Sequence, residues 1–304
     1  MNISVIICAY NEKRWDTLVA TITSIQQQST RAHEIIQVID NNPALASRVR
    51  TQFSGLTVIE NHGPRGLSHA RNLGIEHSSG DIIAFIDDDA IADKDWLFHL
   101  TQGYNDEQVV GVGGYVSSAW SGKRPSWFPE EFDWVVGCSY RGLPSAACRV
   151  RNFIGCNMSF RRNVLVTAGG FHRDLGRVNA HPVGCEETEL CIRIQQLMPN
   201  GVLLYEPTAQ VKHIIAVSRE DWSYFLSRCF FEGRSKAKVA RLIGSDDGLS
   251  SERNYTMRTL PLGMLYGLRD TFAQRNLYGI ARSGAIVAGL LYTVSGYVSG
   301  AIAA

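Results

Sequence analysis

Apolar residues follow two alternating patterns along the first third of this chain. Residues 3–9, 35–39, 56–59 and 82–86 are short, largely apolar runs, as expected of strands buried on both faces. Between the first two, Trp15, Leu18, Val19, Ile22 and Ile25 recur at three- and four-residue spacing, which predicts a helix. Strand–helix alternation of this kind predicts an α/β fold whose parallel strands are joined by right-handed crossovers. Ligands of such sheets bind beyond the carboxyl ends of the strands, an edge marked here by Tyr10, Asp40 and Asp87.

The later pattern differs. Residues 202–205 and 210–215 read as further strands. Residues 220–243 read as a long amphipathic helix with Trp222, Phe225, Leu226, Cys229 and Phe230 on one side. Residues 244–252 (GSDDGLSSE) read as a loop, and 257–304 as a helical tail. The stretch 284–304 carries no charge and is long enough to cross a bilayer. Its Gly, Ala and Ser content makes it only moderately hydrophobic, which favours a docked helix, or one at a membrane surface, over a span. Arg269, Arg275 and Arg282 precede it and suit anionic lipid headgroups. Residues 117–152 show neither period and crowd Trp120, Trp127, Phe128, Phe132, Trp134 and Tyr140, a texture that is either functional or packed on itself.

Composition narrows the class. Of 304 residues, 45% are hydrophobic and 19% charged, which describes an ordinary globular chain. The formal net charge of +1 provides no general field for nucleic acid, and none is expected as a partner. The seven cysteines include no C-x-x-C pair, so neither a disulfide framework nor a thiolate zinc site is expected. A reducing cytoplasm is the simplest compartment, at the inner face of the membrane if the tail touches lipid. The N-terminus enters a strand without the features of a signal peptide.

The chemistry is concentrated where the fourth apolar run ends in Asp87, Asp88 and Asp89. Side chains alternate along an extended segment, so Asp87 and Asp89 share a side. Paired carboxylates suit a hard cation, Mn²⁺ or Mg²⁺, that completes its shell with phosphate oxygens. The other reading is a solvated turn, with Asp93 capping the helix that contains Trp96, Leu97 and Leu100. Residues 61–74 contain neither G-x-G-x-x-G nor a phosphate-binding P-loop. There Ser68 is a candidate helix cap, and Arg71 either a surface charge or a bidentate ligand of a diphosphate.

Four segments in order, Ala9-Tyr10-Asn11-Glu12, Val38-Ile39-Asp40-Asn41-Asn42, residues 61–74 and Phe85-Ile86-Asp87-Asp88-Asp89, resemble the nucleotide-sugar half of family 2 glycosyltransferases. The resemblance continues through residues 110–116, 155–162, 169–171 and 184–190 and fades beyond roughly residue 230. It implies a GT-A fold, a mixed sheet flanked by helices, here with a C-terminal helical tail. It implies a domain over residues 1–243, divided into a nucleotide-sugar half (1–116) and an acceptor and catalytic half (117–243), with the tail at 244–304. It implies an inverting, metal-dependent transfer of one sugar from a nucleoside diphosphate donor, UDP-linked by expectation, in bacterial polysaccharide or glycoconjugate synthesis. The acceptor expected is a carbohydrate or, as the apolar tail suggests, a lipid-linked saccharide. No Q-x-x-R-W pattern of the processive members is found, which favours single-sugar transfer.

Position by position, the resemblance places Ala9, Tyr10, Asn11, Glu12, Asp40, Arg65, Arg71, Asp87 and Asp88 around the nucleotide sugar. Tyr10 stacks on the base and Asp40 accepts from its edge, roles that suit an aromatic face and a carboxylate. Asp87 and Asp89 hold the cation, and His213 is a further candidate ligand, although a lone histidine in a strand also serves structural hydrogen bonding. The family's general base, usually Asp, falls on Glu187, with Glu186 as the fallback. Adjacent residues on a helix do not share a face, so only one of the two should aim at the acceptor. Aromatic rings cover the C–H faces of sugars, so Trp127, Trp134 and Tyr140 are candidate acceptor residues unless they form a packed satellite cluster. Lys123, Arg124 and Arg141 could meet an acceptor phosphate. The rival readings are a nucleotidyltransferase and an inactive nucleotide-sugar-binding or membrane scaffold protein.

Overall fold

The computed structural model describes residues 1–177, 184–244, 252, 254–274 and 277–303. Arg275 and most of the expected 244–252 loop lie outside the described residues. Among these, nine strands form one sheet: β1 (Ile3–Ala9), β2 (Glu34–Asp40), β3 (Thr57–Asn61), β4 (Ile82–Asp87), β5 (Ala90–Ala92), β6 (Val109–Trp120), β7 (Cys148–Arg149), β8 (Asn157–Arg161) and β9 (Val202–Ile215). The order β3-β2-β1-β4-β8-β6-β9-β5, with β7 beside β9, puts β1 and β4 inside the sheet. Their near-continuous burial follows from cover on both faces.

Strands β1 to β4 are mutually parallel, as the alternating pattern predicts. The second half departs from that pattern, because β8 runs antiparallel to β4 and β6 antiparallel to β8. The sheet is therefore mixed. The two strands expected at 202–205 and 210–215 are one continuous strand, β9, whose far end pairs antiparallel with β5 and sets His213 opposite Ala90. Asp93 does not cap a helix with its side chain; its carbonyl accepts from Gln28 Nε2 at 2.7 Å and from the Trp96 amide at 3.0 Å.

By contacts, the described residues fall into two compact units. The first contains residues 1–117, 144–177 and 186–214, with the sheet and helices α1 (Trp15–Gln26), α2 (Pro43–Gln52), α3 (Leu67–His77), α4 (Trp96–Gln102), α5 (Arg162–Ala168) and α6 (Glu186–Leu197). Its core packs Ile6, Phe85, Met158, Phe160, Phe171 and Leu190 between sheet and helices.

The second unit joins residues 118–143 and 184–185 to everything described after 214, including α7 (Trp222–Ile243), α8 (Leu260–Gln274) and α9 (Tyr278–Ile302). Its interior is aromatic. Trp127 meets Trp222 edge-on at 4.8 Å and Phe225 at 5.5 Å. The Trp134 indole donates to the Tyr255 hydroxyl at 3.0 Å, and the Tyr140 ring lies 5.5 Å from that of Tyr255. α9 runs beside α7 through glycines: a Cβ on Gly296 would sit 1.9 Å from the Phe230 carbonyl oxygen, and one on Gly233 1.9 Å from that of Thr293. Such backbone proximity admits no side chain at either position.

Candidate active site

The first unit gathers its charged side chains where β1, β2 and β4 end. Ala9, the last residue of β1, is buried, and Tyr10 just beyond it is 45% exposed. Asn11 caps a 3-10 turn over Glu12–Arg14 by accepting from the Lys13 amide at 3.0 Å. Glu12 stays exposed, whereas Arg14 is carried to the acidic strand end. Its Nη1 lies 2.7 Å from Asp88 Oδ1 and 3.0 Å from Asp89 Oδ2. Arg14 was not among the sequence candidates; its one signal is a basic residue just past a strand end on the ligand edge.

Asp40 ends β2 and organises the loop before α3. Its Oδ1 accepts from Asn41 Nδ2 at 2.9 Å and Asn61 Nδ2 at 2.7 Å, and its Oδ2 from the Gly66 amide at 2.9 Å. Gly66 has φ of 139°, a conformation open to glycine, and occupies the N-cap position of α3. Ser68 is thus not the cap; it sits inside α3, where its hydroxyl donates to the Leu175 carbonyl at 2.6 Å. Arg65, on the same loop, is exposed.

Asp87, Asp89 and His213 converge: one ligand atom from each lies within 4.8 Å of the others. His213 Nε2 is 3.0 Å from Asp89 Oδ1, and the Ile214 amide donates to the Asp89 carbonyl at 2.8 Å, so β9 fixes the imidazole beside the strand end. Asp88 is buried, with Oδ1 on Arg14 and Oδ2 without a hydrogen-bond partner. Burial first, then the neighbouring carboxylates of Asp89 and Asp87, push the Asp88 carboxyl up to about 7 against the opposing pull of Arg14. Crowded carboxylates, an orphaned buried oxygen and an imidazole fit a divalent cation with hard or borderline character. Cys8 pairs in register with Asp87, but burial pushes its thiol up to about 12, so it stays protonated and is no nucleophile.

Arg71 ties this cluster to α6. It is 2% exposed, and it donates to Glu186 Oε1 at 2.9 Å, Asp87 Oδ1 at 3.2 Å and the Gly155 carbonyl at 3.0 Å. The three glutamates at the start of α6 take three different positions. Glu186 is buried on Arg71 with Oε2 unpartnered, and Glu189 is buried in a two-pronged pair with Arg193 at 2.7 and 2.8 Å. Glu187 is partly exposed, with the Thr188 hydroxyl 3.4 Å from its Oε1. Trp127, Trp134 and Tyr140 lie in the second unit, packed on that unit's own residues.

The sequence model for "Glycosyl transferase family 2" matches residues 4–167, from β1 through β8 and into α5. The chain belongs to that family. It is 35% identical over 253 residues to a glucosyl-dolichyl phosphate glucuronosyltransferase of Haloferax volcanii, covering 81% of this chain and 80% of that one. To the succinoglycan biosynthesis protein ExoM of Rhizobium meliloti it is 25% identical over 249 residues, covering 79% and 75%. Among solved structures, the mannosyltransferase PcManGT from Pyrobaculum calidifontis, in complex with GDP-Man and Mn²⁺, superimposes with a TM-score of 0.58 at 17% identity, over 96% of this chain and 87% of that one. GalNAc-T7 with UDP, GalNAc and Mn²⁺ gives 0.58 at 16%, over 85% and 58%. The fold is GT-A, and the protein is a glycosyltransferase.

Proposed function

We propose that this glycosyltransferase moves one sugar from a UDP-linked donor to a hydroxyl of a lipid-linked saccharide, inverting the anomeric centre, with the apolar tail at a membrane surface. The observation that carries the reading is the placement of Glu187. It is the partly exposed carboxylate at the start of α6, while its neighbours Glu186 and Glu189 are buried on Arg71 and Arg193. A general base must reach a substrate proton, and accessibility singles out Glu187 for that role. The Haloferax relative, named for a glucosyl-dolichyl phosphate substrate, supports the lipid-linked acceptor. GalNAc-T7 with UDP, GalNAc and Mn²⁺ supports the donor class and the metal.

Asp87, Asp89 and His213 would hold Mn²⁺ or Mg²⁺, which supplies neutralisation of charge on the departing diphosphate. The chain's own groups prepare the rest. Arg14 holds Asp88 and Asp89 in place, and Arg71 fixes Asp87 relative to Glu186. Buried as it is, Arg71 is a positioning residue in this reading, and the exposed Arg65 is the guanidinium available to the donor. Tyr10, with its exposed ring, covers the base, and Asp40 holds the loop bearing Arg65 while offering remaining lone pairs to the base edge. Glu187 takes the proton from the acceptor hydroxyl.

Calorimetric titration of UDP, GDP and dTDP, each with Mn²⁺ and then with chelator, tests the donor side. Metal-dependent binding of UDP, lost in Asp89→Ala and kept in Glu187→Gln, is the expected result, with turnover lost in both. Full turnover by folded Glu187→Gln would remove the base assignment. Equal, metal-independent binding of all three nucleotides would overturn the donor reading.

A further inference from the structure

We infer that the outer face of the α8–α9 hairpin docks on an anionic bilayer with α9 lying along the surface instead of crossing it. This deepens the reading that the tail meets a membrane and rests on it. α9 alone passes as a span: it has 25 residues, and an 18-residue stretch of it has a mean hydropathy of 1.6 and is only 28% buried. Its neighbours rule that geometry out. Along its second half α9 is in backbone contact with α7, through Gly296 on Phe230, Gly233 on Thr293 and Gly300 on Arg234, and Arg241 donates to the Gly300 carbonyl. α7 carries Arg228, Glu232, Arg234, Lys236, Lys238 and Arg241. A bilayer core that admitted α9 in this packing would have to admit those charges as well, which it strongly disfavours.

The opposite side of the hairpin is apolar. Val287, Leu291, Val294 and Val298 follow one another at three- and four-residue spacing, and each is exposed, Leu291 by 62%. On α8, Leu265 and Phe272 are exposed by 60% and 81%. Exposed apolar stripes of this length on two adjacent helices mark an interaction surface.

Charge selects the partner. Between residues 255 and 303 the chain holds Arg258, Arg269, Arg275 and Arg282 but a single acid, Asp270. That acid is paired with Arg282 at 2.6 Å, which also ties α8 to α9. Arg258 has no ion-pair partner among the described residues, and it lines a cavity of about 290 Å³ with Leu262, Tyr266 and Arg141, the last already paired with Glu130 and Glu131. A basic, apolar, acid-poor face matches anionic headgroups over acyl chains.

The test is flotation of the full chain with vesicles of pure phosphatidylcholine and of phosphatidylcholine containing one-third phosphatidylglycerol, followed by alkaline carbonate extraction. Binding to the anionic vesicles, release by carbonate, and about tenfold weaker binding to the zwitterionic ones are expected. Phe272→Ser and Leu291→Ser should each weaken binding about tenfold with unfolding temperature unchanged, because both side chains are solvent-exposed in the free protein. Binding that resists carbonate would overturn the surface geometry in favour of a span. Equal binding to both vesicle types would overturn the charge argument. No binding to either, with or without a stable dimer by light scattering, would overturn the membrane reading itself. Sugar transfer to a soluble acceptor analogue, measured alongside, reports separately on the catalytic reading.

Discussion

Replacing Arg71 with methionine should be the most revealing single change in the first unit, because one buried guanidinium holds together residues far apart in sequence. Methionine preserves the aliphatic stem but leaves three acceptors without their donor: Glu186 Oε1, Asp87 Oδ1 and the Gly155 carbonyl. Asp87 is the least affected, since a third of its side chain is exposed and solvent can replace the lost partner. Glu186 is different, because its side chain is 6% exposed and its other oxygen already lacks a partner. Breaking a buried pair from one side costs about 3–5 kcal/mol. With the Gly155 hydrogen bond included, a loss of about 4 kcal/mol is reasonable, or about 8–16 °C in unfolding temperature for a unit of this size. The assay is thermal unfolding by calorimetry of Arg71→Met and of the double variant Arg71→Met/Glu186→Gln. Neutralising Glu186 removes the stranded charge, so the double variant should recover about half of the loss. If both variants unfolded within about 2 °C of the parent, the guanidinium would not be what keeps Glu186 buried, nor the link that holds β4 to α6.

Other expectations follow from the same geometry. His213→Ala should weaken Mn²⁺ binding at least about tenfold, whether the imidazole ligates the ion or orients Asp89; unchanged affinity by electron paramagnetic resonance titration would remove His213 from the site. Asp133 is buried beside Arg124, and burial pushes its carboxyl up to about 6 despite that partner. A raised value in the folded state means that its favourable contribution is complete below about pH 4 and lost as pH rises through 6, so wild type should lose about 2–3 kcal/mol relative to Asp133→Asn between pH 4 and 7. A pH-independent gap in unfolding temperature between the two would contradict that direction. Gly296→Ala would put a Cβ 1.9 Å from the Phe230 carbonyl oxygen, forcing α7 and α9 apart at about 1–3 kcal/mol, seen as a lower unfolding temperature.

The placement of several candidate site residues was readable from local features of the chain. A largely apolar run that ends in consecutive acids marks a central strand reaching the ligand edge, and both properties reside in adjacent residues, from Ile82 to Asp89. The same holds for Asp40 at the end of β2 and Tyr10 just past β1. Where local reading stopped, the missing information was long-range pairing. Ser68 looks like a cap by composition, yet the loop geometry set by Asp40 gives that position to Gly66. The parallel pattern of the first half carries no information about β8, which pairs antiparallel with β4 because the chain returns to that edge after a long excursion.

The sequence by itself determined where the four parallel strands β1 to β4 lie, that β2 and β4 end in carboxylates, and that the tail is apolar, since each of these is set by neighbours in the chain. Only the tertiary structure decided the use of those groups. It brought His213 to Asp89 across 124 positions and Arg71 to Glu186 across 115. It brought Arg14 onto Asp88 and Asp89, and it separated three adjacent-looking glutamates into two buried ion-pair partners and one partly exposed carboxylate. The physical reason is that burial and charge pairing depend on what packs against a side chain, and residues distant in sequence supply those neighbours. The tail shows the same division: its composition permits a span, and only the tertiary structure packs it through glycines against a helix rich in charged residues.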